Sequence, residues 1–428
     1  MPQFGLENMR NVVLLSHTGD GKTSTAEAML FNAKAINRLG KVDDGSSTSD
    51  YDPDEIKRKI SINLTLLPYE WRGTKVNLID TPGYSDFVGE VIAGIRVSEG
   101  AVIVICAASG VEVGTEQVWG YCQEASLPRL IFVNKMDREN ADFARTVNDI
   151  QARFGPKCLP IQLPIGAQDD LQGVVDLLTM KAYTGSPPKE GEIPSALEGQ
   201  VNTFREKLIE AAAETEDALI EKYLGGEELT AEELRNGLKK AVASGSVFPI
   251  LAGSALQNVG INGLLDAVVE YLPSPAEREV VAVTDAKEEK FAPQADGPLA
   301  ALVFKTTADP YVGKLTYFRV YTGSIDSNSQ VWNANQSATE RIGQLFMLRG
   351  KTQEPVPQVS AGDIGAVAKL NVTGTGDTLC HQDKPMKIIP IQFPSPIFSL
   401  AVHPKTKADV DKLGTALSRI TEQDPTIQ

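Results

Sequence analysis

Residues 12–30 read VVLLSHTGDGKTSTAEAML, a stretch that predicts a strand, a glycine-rich turn and a helix in succession. Within it, residues 16–23 (SHTGDGKT) match the spacing of a phosphate-binding loop, except that Ser16 stands in place of the first glycine. Such a loop needs backbone N–H groups that converge on phosphate oxygens at the N-terminus of a helix. An ordinary glycine-rich turn between a strand and a helix is the alternative that this motif alone leaves open.

The loop supplies candidates for both binding and catalysis. Gly19 and Gly21 permit a close approach of the backbone to phosphate. The Lys22 ammonium would reach the β- and γ-phosphates, which makes it a catalytic candidate, and the Thr23 hydroxyl would ligate Mg²⁺. The predicted nucleotide contacts in this segment are Ser16, His17, Thr18, Gly19, Asp20, Gly21, Lys22, Thr23 and Ser24. The His17 ring is expected to pack or to bond to the backbone there.

A second motif, DTPGYSDF at residues 80–87, follows the apolar run KVNLI. Asp80 would hold the same Mg²⁺ through a water molecule, and the Gly83 amide would meet the γ-phosphate. Tyr84 occupies the place where a side chain usually orients the attacking water. The predicted nucleotide contacts here are Asp80, Thr81, Pro82 and Gly83, and the catalytic candidates are Gly83 and Tyr84.

A third motif, NKMD at residues 134–137, follows the apolar run RLIFV and carries chemistry specific to guanine. The Asp137 carboxylate can accept from the ring N1–H and from the exocyclic amine together, whereas adenine lacks that amine. Asn134 would brace the loop, and the aliphatic stem of Lys135 would cover one face of the base. After a further apolar run, Ser254, Ala255 and Leu256 would supply a backbone amide to the guanine oxygen. Together, and in this order, the motifs predict GTP/GDP binding.

Composition bounds the class of protein. The 428 residues are 42% hydrophobic, and no apolar run approaches the ~20 residues that a membrane span needs. The four cysteines are far apart without metal-ligand spacing, and Cys106 lies in a strand-like run, so we expect buried reduced thiols. These features predict a soluble, cytoplasmic protein, and a formal net charge of −15 argues against DNA as a partner.

The chain divides into segments that differ in their pattern of apolar, charged and proline residues. Residues 1–275 alternate apolar strands and helices as in a parallel sheet, interrupted at about 156–250 by a helical α+β insertion, whose residues 190–234 include 13 acidic and 3 basic side chains. Residues 276–296 are rich in proline and charge and are predicted to be a linker. Residues 297–393 show short alternating strands typical of an antiparallel β-barrel. Residues 394–428 predict one strand and one helix, the start of an incomplete α+β third domain.

These motifs together resemble elongation factor G, a family of translational GTPases. The match runs through essentially the whole chain, including the insertion, GDIGAVAKL and TGTGDTL in the barrel, and AVHPKTKADVDKLGTAL near the end. The resemblance implies a P-loop GTPase domain and the N-terminal part of a longer, monomeric protein that couples GTP hydrolysis to conformational change and translocation on the ribosome. In the family the insertion faces the ribosomal stalk, so ribosomal RNA and stalk proteins are the implied partners.

The resemblance also identifies positions at which this sequence differs from the family's usual residues. Residues 40–62 resemble the family's first switch segment, and Ser61 falls on the position whose hydroxyl ligates Mg²⁺. Gly19 replaces an acidic residue, Lys59 replaces a glycine and Tyr84 replaces a histidine. All three surround the γ-phosphate, which suggests a divergent paralogue.

Two alternatives to a hydrolysing translocation factor stay open. The three departures favour a GTP-dependent ribosome-binding module with little or no turnover, in which the Tyr84 ring only packs. A related release-factor or ribosomal-protection GTPase is the other alternative, and the sequence of the third domain argues against it mildly.

Overall fold

The computed structural model describes residues 4–284, 287–309, 313–406 and 409–427. The chain forms two compact units, of which one comprises Arg10–Asp86 and Ser98–Pro273. The remaining described residues form the other. Within the described part of the chain, no helix is both long and apolar enough to cross a membrane. The four cysteines are buried free thiols, as expected.

The first unit is built on a seven-stranded sheet in the order β2-β3-β1-β4-β5-β11-β6. The strands are β1 (Met9–Leu15), β2 (Thr65–Trp71), β3 (Thr74–Asp80), β4 (Gly100–Cys106), β5 (Arg129–Asn134), β6 (Cys158–Pro160) and β11 (Phe248–Ala252). β4 pairs in parallel with β1 and β5, β11 pairs in parallel with β5 and β6, and β2 is antiparallel to β3. β1, β3, β4, β5 and β11 are buried throughout, which confirms the apolar runs predicted as strands.

Helices follow these strands. They are α1 (Lys22–Asn32), α2 (Pro53–Arg58), α3 (Val88–Arg96), α4 (Val113–Glu124), α5 (Phe143–Phe154) and α9 (Ile261–Tyr271). α3 is grouped with the second unit, whereas the motif DTPG just before it belongs to the first. The α/β fold class predicted from the phosphate loop is confirmed, with the carboxyl ends of β1, β3 and β5 leading directly into the three nucleotide motifs.

The insertion adds a small antiparallel sheet and three helices. Its elements are β7 (Gln162–Ile165), β8 (Gly173–Asp176), β9 (Lys181–Thr184), β10 (Lys189–Gly191), α6 (Glu198–Ala213), α7 (Asp217–Leu224) and α8 (Ala231–Ala243). α6 ends before α7 begins, and between them the Thr215 hydroxyl bonds to the Ala212 carbonyl in competition with the helical backbone. A capping box at Thr230 and Glu233 begins α8, with reciprocal bonds of 3.2 and 2.7 Å.

The second unit contains the barrel. Its eight-stranded antiparallel sheet comprises β14 (Ala300–Asp309), β15 (Gly313–Thr322), β17 (Gln330–Asn333), β18 (Ala338–Arg341), β19 (Leu345–Arg349), β20 (Thr352–Val356), β22 (Ile364–Ala368) and β23 (Thr378–Cys380). A two-stranded pair, β16 (Ser324–Asp326) and β21 (Gln358–Ser360), joins the same core.

Part of the predicted linker is folded. Within residues 276–296, β12 (Val280–Thr284) and β13 (Lys287–Phe291) form a three-stranded sheet with β24 (Lys387–Ile388). The proline and charge of the flanks obscured the alternation in the middle, where Val280 and Ala282 are buried. Residues 285 and 286 lie outside the described part of the chain.

The strand predicted at residues 396–404 (PIFSLAVHP) is wrong, because this segment has no assigned regular structure and Ile397 and Phe398 are fully or largely exposed. A lone strand has no neighbour for its backbone hydrogen bonds and no sheet to bury its side chains. The predicted helix is present as α10 (Val410–Gln423), and its apolar residues Val410, Leu417 and Ile420 are also exposed.

A buried carboxylate organises one loop of the barrel. Glu340 on β18 is 1% exposed and accepts backbone hydrogen bonds from Asn371, Val372 and Thr373, as well as one from the Thr373 hydroxyl. Burial by itself would raise the pKa of Glu340, but these four donors outweigh it and lower the pKa below its usual value. The charged form is therefore the one that stabilises the fold.

Replacing Glu340 by alanine should cost about 3 kcal/mol of barrel stability, because several buried donors lose their acceptor. Since the folded pKa is depressed, the stabilisation is present above the unfolded pKa and is lost as pH falls through the folded value. Urea unfolding of Glu340→Ala at neutral and acidic pH measures both effects. The exposed Asp383→Ala in the same unit is the control, and an equal loss in the two variants would contradict the assignment.

Candidate nucleotide-binding site

The phosphate loop joins β1 to α1 and depends on its glycines. Gly19 and Gly21 have φ angles of +86° and +94°, a left-handed backbone that residues with a Cβ rarely adopt. At Gly21 a Cβ would also lie 2.5 Å from the Asn134 Nδ2. The loop can therefore take this shape only with glycine at that position.

Ser16, the residue that departs from the usual motif, contacts the loop lysine. The Lys22 Nζ donates to the Ser16 Oγ over 2.9 Å, and the Lys22 side chain is buried. Burial lowers the pKa of Lys22, while the carboxylates of Asp80, Asp20 and Asp50 act in the opposite direction. A buried ammonium held by a hydroxyl is well suited to exchange that contact for phosphate oxygens.

Three elements bring oxygen ligands together beside Lys22. The Thr23 Oγ1 donates to the Asp80 Oδ2 over 2.8 Å and lies 3.1 Å from the Ser61 Oγ. The Ser49 Oγ donates to the same Asp80 oxygen over 2.7 Å. The other carboxylate oxygen of Asp80 is buried and has no hydrogen-bond partner among the described residues. Hydroxyl and carboxylate oxygens are ligands that Mg²⁺ prefers, so the predicted metal residues fit this ion.

Asp50 joins this cluster and was not among the predicted site residues. It is 3% exposed, and burial together with the charge of Asp80 raises its pKa to about 7. Nothing in the sequence singles it out, because residues 43–55 contain several acidic residues in a polar stretch. Only the folded loop shows which carboxylate reaches the cavity.

A cavity of about 340 Å³ lies beside the loop, lined by residues of all the phosphate-end motifs. The lining includes Thr18, Gly19, Gly21, Lys22, Thr23, Ser24, Asp50, Lys59, Ser61, Gly83, Tyr84 and Lys135. The Tyr84 side chain belongs to this lining and is 40% exposed. At Gly83 a Cβ would lie 2.6 Å from the Lys22 Nζ, so only glycine leaves the lysine in place. Thr81 and Pro82 are buried, and the Thr81 hydroxyl bonds to the Leu14 carbonyl.

NKMD lies next to the loop and is tied to it. The Asn134 Nδ2 donates to the Asp20 carbonyl, and the Asn134 Oδ1 accepts from the Ala255 N–H, each over 3.0 Å. The Lys135 Nζ donates to the Gly19 carbonyl over 2.5 Å. One oxygen of Asp137 is shielded from solvent and has no hydrogen-bond partner in the described part of the chain. That oxygen leaves an acceptor for a ligand N–H.

Ser254, Ala255 and Leu256 form the turn after β11. Ser254 and Ala255 are buried, and the Ser254 Oγ accepts from the Gln257 N–H. Leu256 is 63% exposed. The turn therefore presents an apolar side chain and backbone next to the asparagine that links it to the phosphate loop.

Two predicted nucleotide contacts turn their side chains away from the cavity. The His17 Nδ1 accepts from the Gly114 N–H over 3.2 Å, which confirms that this ring bonds to the backbone. Asp20 is 1% exposed, and burial together with the charge of Glu112 raises its pKa to about 7. The Asp20 carboxylate thus lies beneath the loop, beside Glu112. At His17 and Asp20, therefore, only the backbone N–H groups can bind phosphate.

Comparisons with known proteins show which family models and which fold the chain matches. The family model described as the elongation factor Tu GTP binding domain matches residues 7–274. The models for elongation factor G domain 2 and domain III match residues 298–382 and 393–428. A crystal structure of a protein from Thermus thermophilus is 33% identical, with a TM-score of 0.88 over 99% of this chain and 62% of that one. The chain thus spans less than two-thirds of the length of that protein.

The first of these family models alone covers more than half of the chain, and the other two follow it in the order of the folded units. The chain belongs to the elongation factor G-like translational GTPases.

Proposed function

We propose that this protein binds GTP and Mg²⁺, hydrolyses GTP on the ribosome, and uses the nucleotide state to drive a conformational change of the translocation type. The observation that carries the proposal is that Lys22, Thr23 and Gly83 line one 340 Å³ cavity, beside which Asp80 accepts a hydrogen bond from Thr23. The ribosome, with its RNA and stalk proteins, is the partner, and the cytoplasm is the compartment. The family membership supports both.

The residues around the phosphate-binding loop can stabilise negative charge without transferring a proton. Lys22 and the backbone N–H groups of the loop neutralise the β- and γ-phosphates, where charge builds up during transfer. Thr23 and Ser61 would ligate Mg²⁺ directly, and Asp80 would hold it through water. Held by these residues, Mg²⁺ would supply Lewis-acid stabilisation of the negative charge on the phosphates. Gly83 keeps this end open, because any side chain there would displace Lys22.

The base end gives specificity for guanine. The unpartnered Asp137 oxygen accepts from a base N–H, and Asn134 fixes the distance between this end and the phosphate loop. Lys135 holds the loop through Gly19 while its aliphatic stem covers the base. Adenine offers no matching pair of donors at this edge.

Turnover depends on Tyr84. The phenol can orient a water molecule as donor or acceptor, but it is a poorer general base than an imidazole. We therefore propose slow, ribosome-dependent hydrolysis. The second candidate is a GTP-dependent ribosome-binding module without turnover, and it is supported by the position of Gly19, Lys59 and Tyr84 in the lining of the nucleotide cavity.

Phosphate release by the purified protein, measured with and without ribosomes, tests the proposal. Release that ribosomes accelerate is expected, whereas GTP-dependent ribosome binding with no release under single-turnover conditions would favour the non-hydrolysing module. Calorimetric titration with GDP tests the binding claim by itself. An absence of GDP affinity would refute both candidates.

A further inference from the structure

A second and larger cavity lies within the first unit, away from the nucleotide site. Its volume is about 590 Å³, and it shares no lining residue with the nucleotide cavity in the described part of the chain. Its walls come from the insertion sheet β7–β10, from the end of β2 and from α9. A cavity of this size falls in the range that encloses small organic ligands.

The cavity carries an excess of acidic groups. Asp266 accepts from the Trp71 Nε1 and from the Arg72 Nη2, each over 2.7 Å, and Glu270 pairs with the Arg235 Nε. Asp176 has no such cation among the described residues, since its Oδ1 accepts only backbone and hydroxyl donors at residues 178 and 179. Four carboxylates thus line the cavity with two guanidinium groups, and the fourth, Glu190, pairs with Lys181 outside the lining.

This imbalance also affects the pKa values of the buried acids. Burial raises the pKa of Asp266 and of Glu270, and the charge of Asp176 adds to the rise in both. The same three carboxylates also raise the pKa of Tyr271, after burial. A cation placed among them would relieve this repulsion.

An independent feature indicates that a hydrogen-bond donor is missing. Gln162 is 2% exposed and lines the cavity, and its Oε1 has no hydrogen-bond partner among the residues that the structure describes. The Oδ1 of Asn262, also in the lining, is likewise buried and without a partner there. An unsatisfied buried acceptor costs about 1–3 kcal/mol unless a ligand or water supplies a donor. Both amide oxygens accept hydrogen bonds, as the carboxylates do, so a ligand with several N–H donors suits all of them.

The remaining wall is aromatic. Trp71, Tyr183 and Tyr271 line the same cavity. Aromatic rings attract ammonium and guanidinium groups over their faces and also cover apolar carbon chains. The lining therefore combines acceptors, negative charge and flat apolar surface.

We propose that this cavity binds a small aliphatic cation that ends in an ammonium or guanidinium group. Its charged end is held by Asp176 and by the Gln162 and Asn262 carbonyl oxygens, and its carbon chain lies against the aromatic wall. The site is separate from the nucleotide cavity, so the proposal does not depend on GTP hydrolysis.

Titration calorimetry with agmatine and with putrescine tests the site, with the fluorescence of Trp71 as a second readout. Saturable 1:1 binding of at least one of them is expected, and the neutral analogue 1,4-butanediol should not bind. Asp176→Asn should weaken binding at least about tenfold, because it removes the one carboxylate of the described lining without a cationic partner. No saturable binding at millimolar agmatine or putrescine would overturn the proposal.

Two further variants separate a built site from the general acidity of the chain. Asp169→Asn, exposed in the same insertion but outside the cavity, makes the same change in net charge and should leave binding unchanged. Gln162→Met keeps the side-chain volume but removes the acceptor, so it should weaken binding even if Asp176→Asn fails to fold. GDP affinity reports the folding of each variant. An equal loss in Asp169→Asn and Asp176→Asn would overturn the proposal in favour of surface charge.

Discussion

Asp137→Asn is expected to weaken GDP binding by about 10⁴-fold, because a site built around hydrogen bonds strongly rejects a mismatched partner. One Asp137 oxygen is shielded from water and has no partner within the described chain, so its interaction with the base is made in a poorly solvated position. An asparagine would present an amide N–H₂ toward the guanine donors and leave buried donors facing each other. Calorimetric titration with GDP measures the loss.

The same substitution should reverse the preference among bases. Xanthine carries a carbonyl where guanine carries its exocyclic amine, so the asparagine amide gains an acceptor and xanthosine diphosphate should bind more tightly than GDP. Glu139→Gln, an exposed change two residues away, is the matched control and should leave both affinities unchanged. Unaltered GDP affinity in Asp137→Asn would show that NKMD is a surface turn.

The fold was predictable where the sequence pattern is local. Apolar runs such as AVIVICA can be read as strands because a parallel sheet covered on both faces needs continuous burial. β2 carries a proline at its centre, Pro68, and it forms because it pairs with β3 along its whole length. The exposed segment 396–404 is the converse case, in which a strand-like pattern lacks a partner within the described residues. Pairing across the chain decides both outcomes, and neither sequence stretch contains that information.

The nucleotide site was likewise predictable only where its residues belong to local sequence motifs. Motif residues such as Lys22 and Asn134 follow strand ends, and parallel strands bring those ends to one edge. Asp50 and Ser49 reach Asp80 from a loop without a local signature, so their place depends on the path of a long segment between α1 and β2. The direction of a side chain was the other feature of the site that the sequence did not predict. Asp20 lies within a recognised motif, yet its carboxylate turns beneath the loop toward Glu112.

Tyr84→His is expected to accelerate ribosome-dependent GTP hydrolysis about 10²-fold, at the lower end of what a positioned proton-transfer group contributes. Tyr84 lines the nucleotide cavity directly after Gly83, whose Cα faces Lys22, so a side chain at this position can reach the reacting phosphate. An imidazole titrates near pH ~6.5 and exchanges protons at neutral pH, which a phenol does not. Phosphate release at saturating GTP, with ribosomes present, measures the rate.

Tyr84→Phe distinguishes a water-orienting hydroxyl from a packing ring. If the hydroxyl orients water, its removal should slow hydrolysis about tenfold while GDP affinity stays unchanged, because the ring and the phosphate contacts remain. If the ring only packs, Tyr84→Phe hydrolyses GTP at the parent rate, and the water-orienting role is refuted. A Tyr84→His variant no faster than the parent would place the limit elsewhere in the cavity, where Lys59 and Gly19 are the remaining departures from the family. The two variants together therefore show whether Tyr84 limits the rate and whether its hydroxyl orients the water.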